Sequence, residues 1–159
     1  MKQRDRVTMT ADEANALLAG SRKLQLATLN PDGTPHLVTM FYVMQDGQIA
    51  FWTYRASQKA RNLARDPRVT CLVETGEDYF ELRGVQVVGT VRCVEDTDGV
   101  LEIGRGIAAA MAGGRAGTAA TGGPDGVVEE YVQQAARKRV GYLVQPTRII
   151  SWDHRKLVG

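Results

Sequence analysis

Three strand-like segments divided by tight-turn signals occupy residues 24–54, and they restrict the fold more than anything else in the chain. Leu24–Leu29 is closed by Pro31-Asp32-Gly33, His36–Met44 is closed by Asp46-Gly47, and Gln48–Tyr54 follows at once. Such turn residues reverse a chain within a few positions, and strands joined in this way run antiparallel. An antiparallel meander is therefore predicted. The second and third strands do not alternate cleanly, because Leu37, Val38, Met40, Phe41, Tyr42, Val43 and Met44 put apolar groups on both faces. A strand wet on one face alternates. Both faces should be covered, one by a barrel core and the other by a helix, a cofactor or a second subunit.

The remaining elements extend this plan. Thr10-Ala11-Asp12-Glu13 has the spacing of a capping box and opens a short helix that ends near Gly20. Ser57–Arg65 reads as a second helix capped by Ser57 and stopped by Asp66-Pro67, since a residue before proline avoids the helical region. Strands are predicted over Val69–Glu74 and, at greater length, over Tyr79–Val94. Gly84 and Gly89 inside the latter predict a bulge, a bend or a close backbone approach. Helices are predicted over Thr97–Met111 and Val127–Arg139, separated by a mobile Gly/Ala-rich loop at about 112–126, and a strand over Thr147–Trp152 closes the chain. With 159 residues and no internal repeat, the chain reads as one domain spanning 1–159, mainly β (α+β).

Several functions are disfavoured. A net charge of +2 without a basic run does not point to nucleic acid. No apolar run approaches the roughly 20 residues of a membrane span, and the polar start lacks the apolar stretch of a signal peptide, so a cytoplasmic protein is expected. Cys71 and Cys93 fall in predicted strands without metal-type spacing and read as buried thiols. The only histidines, His36 and His154, have no metal-type partners. Gly104-Arg105-Gly106 lies within a helical pattern, not after a strand, so no dinucleotide fold is inferred. No nucleophile elbow or catalytic pair emerges, so the catalytic residues stay unknown. A redox cofactor that carries the chemistry itself accords with that absence.

The strongest local feature is Ser57-Gln58-Lys59-Ala60-Arg61-Asn62 at a strand-to-helix junction. Free N–H groups and the positive helix end favour an anion there. Lys59 and Arg61 add charge, and Ser57 and Gln58 add neutral donors. A capped surface helix with solvated basic residues is the competing reading.

The chain resembles the pyridoxamine 5'-phosphate oxidase-like split β-barrel superfamily, and within it the flavin/deazaflavin oxidoreductases, many of which use coenzyme F420. Pro35-His36-Leu37-Val38-Thr39-Met40, Phe51-Trp52-Thr53-Tyr54, the stretch from Ser57 to Arg68, and Pro146-Thr147-Arg148-Ile149-Ile150-Ser151-Trp152-Asp153 carry the resemblance. It implies a split antiparallel β-barrel with short peripheral helices, working as a homodimer with cofactor sites at the interface. By the same resemblance, His36, Leu37, Val38, Thr39, Met40 and Phe41 meet the cofactor ring. Trp52 and Thr53 flank its ribityl-phosphate chain. Ser57, Gln58 and Lys59, with Arg61 and Asn62 beside them, hold its phosphate, and Trp152 approaches the partner subunit's cofactor. The implied cofactor is F420, with FMN as the alternative. The implied reaction is hydride transfer to a small conjugated or apolar substrate, and a non-catalytic flavin or F420 carrier is the rival reading. Three departures argue against a true pyridoxamine phosphate oxidase. Gln58 replaces a clamp arginine, Phe41 replaces a substrate-binding lysine, and Gly84 replaces a glutamine.

Overall fold

A sheet of seven strands organises the protein: β1 Lys23–Leu29, β2 Pro35–Phe41, β3 Val43–Gln45, β4 Gln48–Tyr54, β5 Arg68–Thr75, β6 Arg83–Val94 and β7 Arg139–Asp153. The structure is a computed structural model that describes residues 1–113 and 125–159. The predicted loop at about 112–126 therefore lies, except for its ends, outside the described residues. Helices α1 Gln3–Val7, α2 Ala11–Gly20, α3 Gln58–Arg65, α4 Thr97–Met111 and α5 Asp125–Ala136 surround the sheet.

The strands follow the order β2, β1, β5, β6, β7, β4, β3, and every neighbouring pair is antiparallel. The two edge strands, β2 and β3, are consecutive in the chain and separated only by Tyr42. The sheet must curl until its edges meet in that segment. This is a split barrel, as expected. Tyr42 is 1% exposed, its amide extends the pairing of β2 to Arg22, and its hydroxyl donates to the Leu18 carbonyl at the end of α2. The predicted single strand His36–Met44 is thus two strands, because this segment changes partner from β1 to β4 at Tyr42.

Two apolar clusters result. Inward residues of all the long strands, including Leu24, Leu26, Phe51, Cys71, Val85 and Tyr142, fill the barrel, and Leu17 and Leu18 of α2 close it. Outside the barrel, α4 and α5 pack Ile103, Ile107 and Val132 against Ala50, Trp52 and Leu143 of β4 and β7. The capping box of α2 forms as read, with Thr10 accepting from the Glu13 amide and the Glu13 carboxylate accepting from the Thr10 amide.

Other boundaries move. Tyr79–Glu81 is a 3-10 turn, not strand, with Tyr79 edge-on to Phe80 and tilted against His154. The last helix stops at Ala136, where Arg137 and Lys138 make the closing turn, and the last strand begins at Arg139 and runs fifteen residues. Its first part pairs with β4, which the apolar run Tyr142-Leu143-Val144 did not signal alone. Helix α1 has too little apolar periodicity to be read. β4 buries both faces as predicted, but β2 alternates, with Leu37 66% exposed.

Of the cysteines, Cys71 is buried and Cys93 is exposed, which corrects the expectation for Cys93. Burial pushes the Cys71 thiol up to about 12. A thiol reagent applied to the native protein should therefore label Cys93 and leave Cys71 untouched until unfolding. Intact-mass analysis with peptide mapping checks this, and native labelling of Cys71 would contradict the burial.

Candidate functional site

The start of α3 is built by its own side chains. Ser57 caps it, its hydroxyl accepting from the Ala60 amide at 3.3 Å and lying 3.3 Å from the hydroxyl of buried Thr53. Arg61 folds back to donate to the Ala56 carbonyl at 2.8 Å. Lys59 is half-buried, and that burial lowers its pKa. Among the described residues no carboxylate pairs with it. A partly desolvated ammonium without a counter-charge is a favourable place for an anion.

Asn62 is committed elsewhere. It is fully buried, donates to Thr28 Oγ1 and Asn30 Oδ1 at 3.0 Å each, and accepts from Gln58 Nε2 at 2.9 Å. It thereby ties α3 to β1, and the Gln58 amide is drawn into the same network. Thr28 stands opposite His36 in the β1–β2 ladder, so the tether brings the start of β2 to the helix. His36 Nδ1 is buried and has no hydrogen-bond partner among the described residues. An unpaired buried nitrogen costs free energy, and a ligand donor or acceptor would relieve that.

β2 divides its predicted ligands between two sides. Val38 and Met40 pack against the barrel core, and Phe41 packs against the outer cluster under α4. Leu37 and Thr39 face outward, Thr39 donating to Gln25 Oε1 at 2.8 Å. β2 is also an edge strand, so it has unpaired backbone groups along the side away from β1. These could hydrogen-bond the polar rim of a planar ring, and with Lys59 and His36 they make the residues present compatible with a ring-and-phosphate cofactor.

The two tryptophans differ. Trp52 is buried beneath α4, and only a glycine at 104 allows this, since a Cβ there would lie 2.4 Å from the ring. The Arg139 guanidinium sits 5.0 Å from the same ring and 4.1 Å from that of Tyr54. The Trp52 ring is therefore not available to a ligand. Trp152 is half-buried on the outer sheet face, its ring laid across Gly84 where a Cβ would come within 2.2 Å. Along the sheet, β1, β5 and β6 stand between β2 and β7. One chain brings Thr53, Ser57, Lys59 and Arg61 together at the start of α3, and the Asn62–Thr28 tether links that start to the His36 end of β2. The register also reveals contributors that the sequence did not flag. Thr28 and Asn30 anchor α3, and Gln25 holds Thr39. Their signal is a cross-strand partner and not a motif.

No helix among the described residues is long and apolar enough to cross a membrane. No group of three or more His, Cys, Asp or Glu side chains among them could hold a metal ion.

Residues 10–153 match the sequence profile of the family described as Pyridoxamine 5'-phosphate oxidase. Among solved structures, a conserved hypothetical protein from Mycobacterium tuberculosis is 38% identical, with a TM-score of 0.86 over 100% of this chain and 94% of that one. An F420 reductase is 24% identical, with a TM-score of 0.60 over 88% of this chain and 98% of that one. A heme storage protein from Vibrio cholerae is 18% identical, with a TM-score of 0.63 over 89% of this chain and 94% of that one. The last two likenesses establish the fold alone. A comparison with curated proteins found no match.

Proposed function

Because this chain belongs to the pyridoxamine 5'-phosphate oxidase family, we propose that it is an oxidoreductase that uses coenzyme F420, with FMN the nearest alternative, to move a hydride to or from a small conjugated or apolar substrate. The observation that carries the reading is the start of α3, where half-buried Lys59, with no carboxylate partner among the described residues, stands beside the Ser57 cap. Lys59 and Arg61 would neutralise the cofactor phosphate, with Ser57 and Thr53 as neutral donors. The free edge of β2 would hydrogen-bond the ring, and His36 Nδ1 would gain a partner. When bound, the cofactor supplies the hydride chemistry, so the protein needs only to bind, orient and exclude water. An F420 reductase of the same fold supports the cofactor class. Phe41, where the resemblance puts a substrate-binding lysine, offers no charge to a phosphorylated substrate, which supports an apolar one.

The same reading includes a homodimer. On the outer face, α4 and α5 cover Phe41, Val94 and Leu143 at one end of β2, β6 and β7, whereas the cross-strand row Thr39, Gln25, Leu72, Gln86 and Ile150 is half-exposed to exposed. A second copy on that face would cover Leu37 and bring its own Trp152 toward β2. A carrier without catalysis is the alternative, supported by a heme storage protein of the same fold.

Titration with F420, FMN and hemin tests the proposal. F420 is expected to bind most tightly, and Lys59→Ala to weaken it by about 1.5–3 kcal/mol, the range of a charge-assisted hydrogen bond. Equal or tighter FMN binding would overturn the F420 preference, and an unchanged Kd in the variant would remove the phosphate role from Lys59. Tight cofactor binding with no oxidation of reduced F420 by any of a panel of conjugated acceptors would favour the carrier.

A further inference from the structure

Strand β7 loses its neighbour halfway along. It pairs with β4 from Arg139 to Leu143, and from there on, among the described residues, β6 is its one strand neighbour. A register shift between Val88 and Gly89 leaves Thr147 as an extra residue on β7. Bulges of this kind bend the strand that carries them. Beyond Pro146 the edge is open and faces the junction of α1 and α2, where the Met9 amide donates to Ser151 Oγ at 3.1 Å. Between that edge and the helices runs a groove of about 470 Å³, whose lining includes Arg4, Met9, Asn15, Arg148, Ile149 and Ser151.

The groove has an uneven charge. Arg4 and Arg148 are both exposed, and neither forms an ion pair among the described residues. Among the described residues no Asp or Glu lines the groove. The nearby acids lie outside it, and Glu13 is already paired with Lys156 at 2.7 Å. Two guanidiniums over an apolar floor of Met9 and Ile149 favour carboxylates, which they can hold bidentately. An unpaired strand edge favours an extended peptide, whose amides continue the ladder.

We propose that this groove binds an acidic peptide segment in extended form, added along the free edge of β7 with its carboxylates on Arg4 and Arg148. The site is separate from the start of α3 and does not depend on the cofactor reading.

The test is fluorescence anisotropy of labelled hexaglutamate with the intact protein. Hexalysine and a backbone N-methylated hexaglutamate serve as comparison peptides. Hexaglutamate is expected to bind, hexalysine not to bind, and the N-methylated peptide to bind more weakly. Arg4→Glu with Arg148→Glu is expected to reduce affinity at least about tenfold, the smallest loss expected from one charge-assisted contact, with an unchanged melting temperature. No binding by the wild-type protein, or equal binding by the double variant, would overturn the site. Equal binding of the N-methylated peptide would overturn strand addition. A change of oligomeric state in the double variant, with no peptide binding to the wild type, would assign the groove to a contact between copies of the chain.

Discussion

Replacing Phe51 by alanine is expected to lower the free energy of unfolding by about 3–5 kcal/mol, the range for truncating a fully buried phenylalanine. Phe51 is fully buried at the centre of β4 and stands opposite Tyr142 of β7, with ring centroids 5.2 Å apart and planes 28° from parallel. β4 joins β3 to the rest of the sheet, so the contact between these rings holds one side of the barrel closure. The alanine variant loses that stacking and leaves a void lined by neighbours fixed in strands, which cannot collapse into it easily. Urea unfolding with the m-value monitored measures the effect. A loss below about 1 kcal/mol would mean that the ring is not packed as described. Leu37→Ala supplies the contrast. Leu37 is 66% exposed in the single chain, and truncating it there should cost less than about 0.5 kcal/mol. A cost near that of a core residue would place Leu37 in a subunit interface.

Legibility followed the range over which each signal acts. The capping box at Thr10, the cap at Ser57 and the stop at Asp66-Pro67 are decided within a few residues, and each sits where the sequence places it. The meander of β1, β2 and β4 was readable because its turns are short. The long-range events were not. The break at Tyr42 exists because one apolar run serves two partners. Residues 139–146 became strand because β4 pairs with 139–143 and β6 with 141–146, and no local period distinguishes that from the end of a helix. At the site, the residues of the α3 start were visible as a motif, but the motif does not separate those that face a ligand from those that hold the helix. Only the structure shows Asn62 bonded to Thr28 and Asn30, and Trp52 sealed under Gly104. Gly84 and Gly89 were recognisable as sites of a bulge, a bend or a close approach, without any indication of which, or of what approaches them.

What approaches them decides what a substitution does. At Gly84 the neighbour is the ring of Trp152, a side chain that can swing aside. At Gly89 the neighbours are backbone: a Cβ would lie 2.2 Å from the Gln145 carbonyl oxygen and 2.9 Å from its carbon, next to Pro146 and the bulge. Gly89→Val is therefore expected to destabilise the protein by about 3 kcal/mol or more, at the upper end of overpacking, even though valine favours strands. The loss must come from prising β6 away from β7 where Thr147 donates to the Val88 carbonyl at 3.1 Å. Gly20→Ala calibrates the measurement, since nothing lies within 4 Å of a Cβ at that helical position. It should gain up to about 1 kcal/mol from the lower entropy of the unfolded chain. Thermal and urea unfolding of both variants separate steric conflict from backbone entropy. If Gly89→Val is as stable as the parent, β7 passes β6 at a greater distance than the bulge requires, and the bend that frees the edge beyond Pro146 loses its cause.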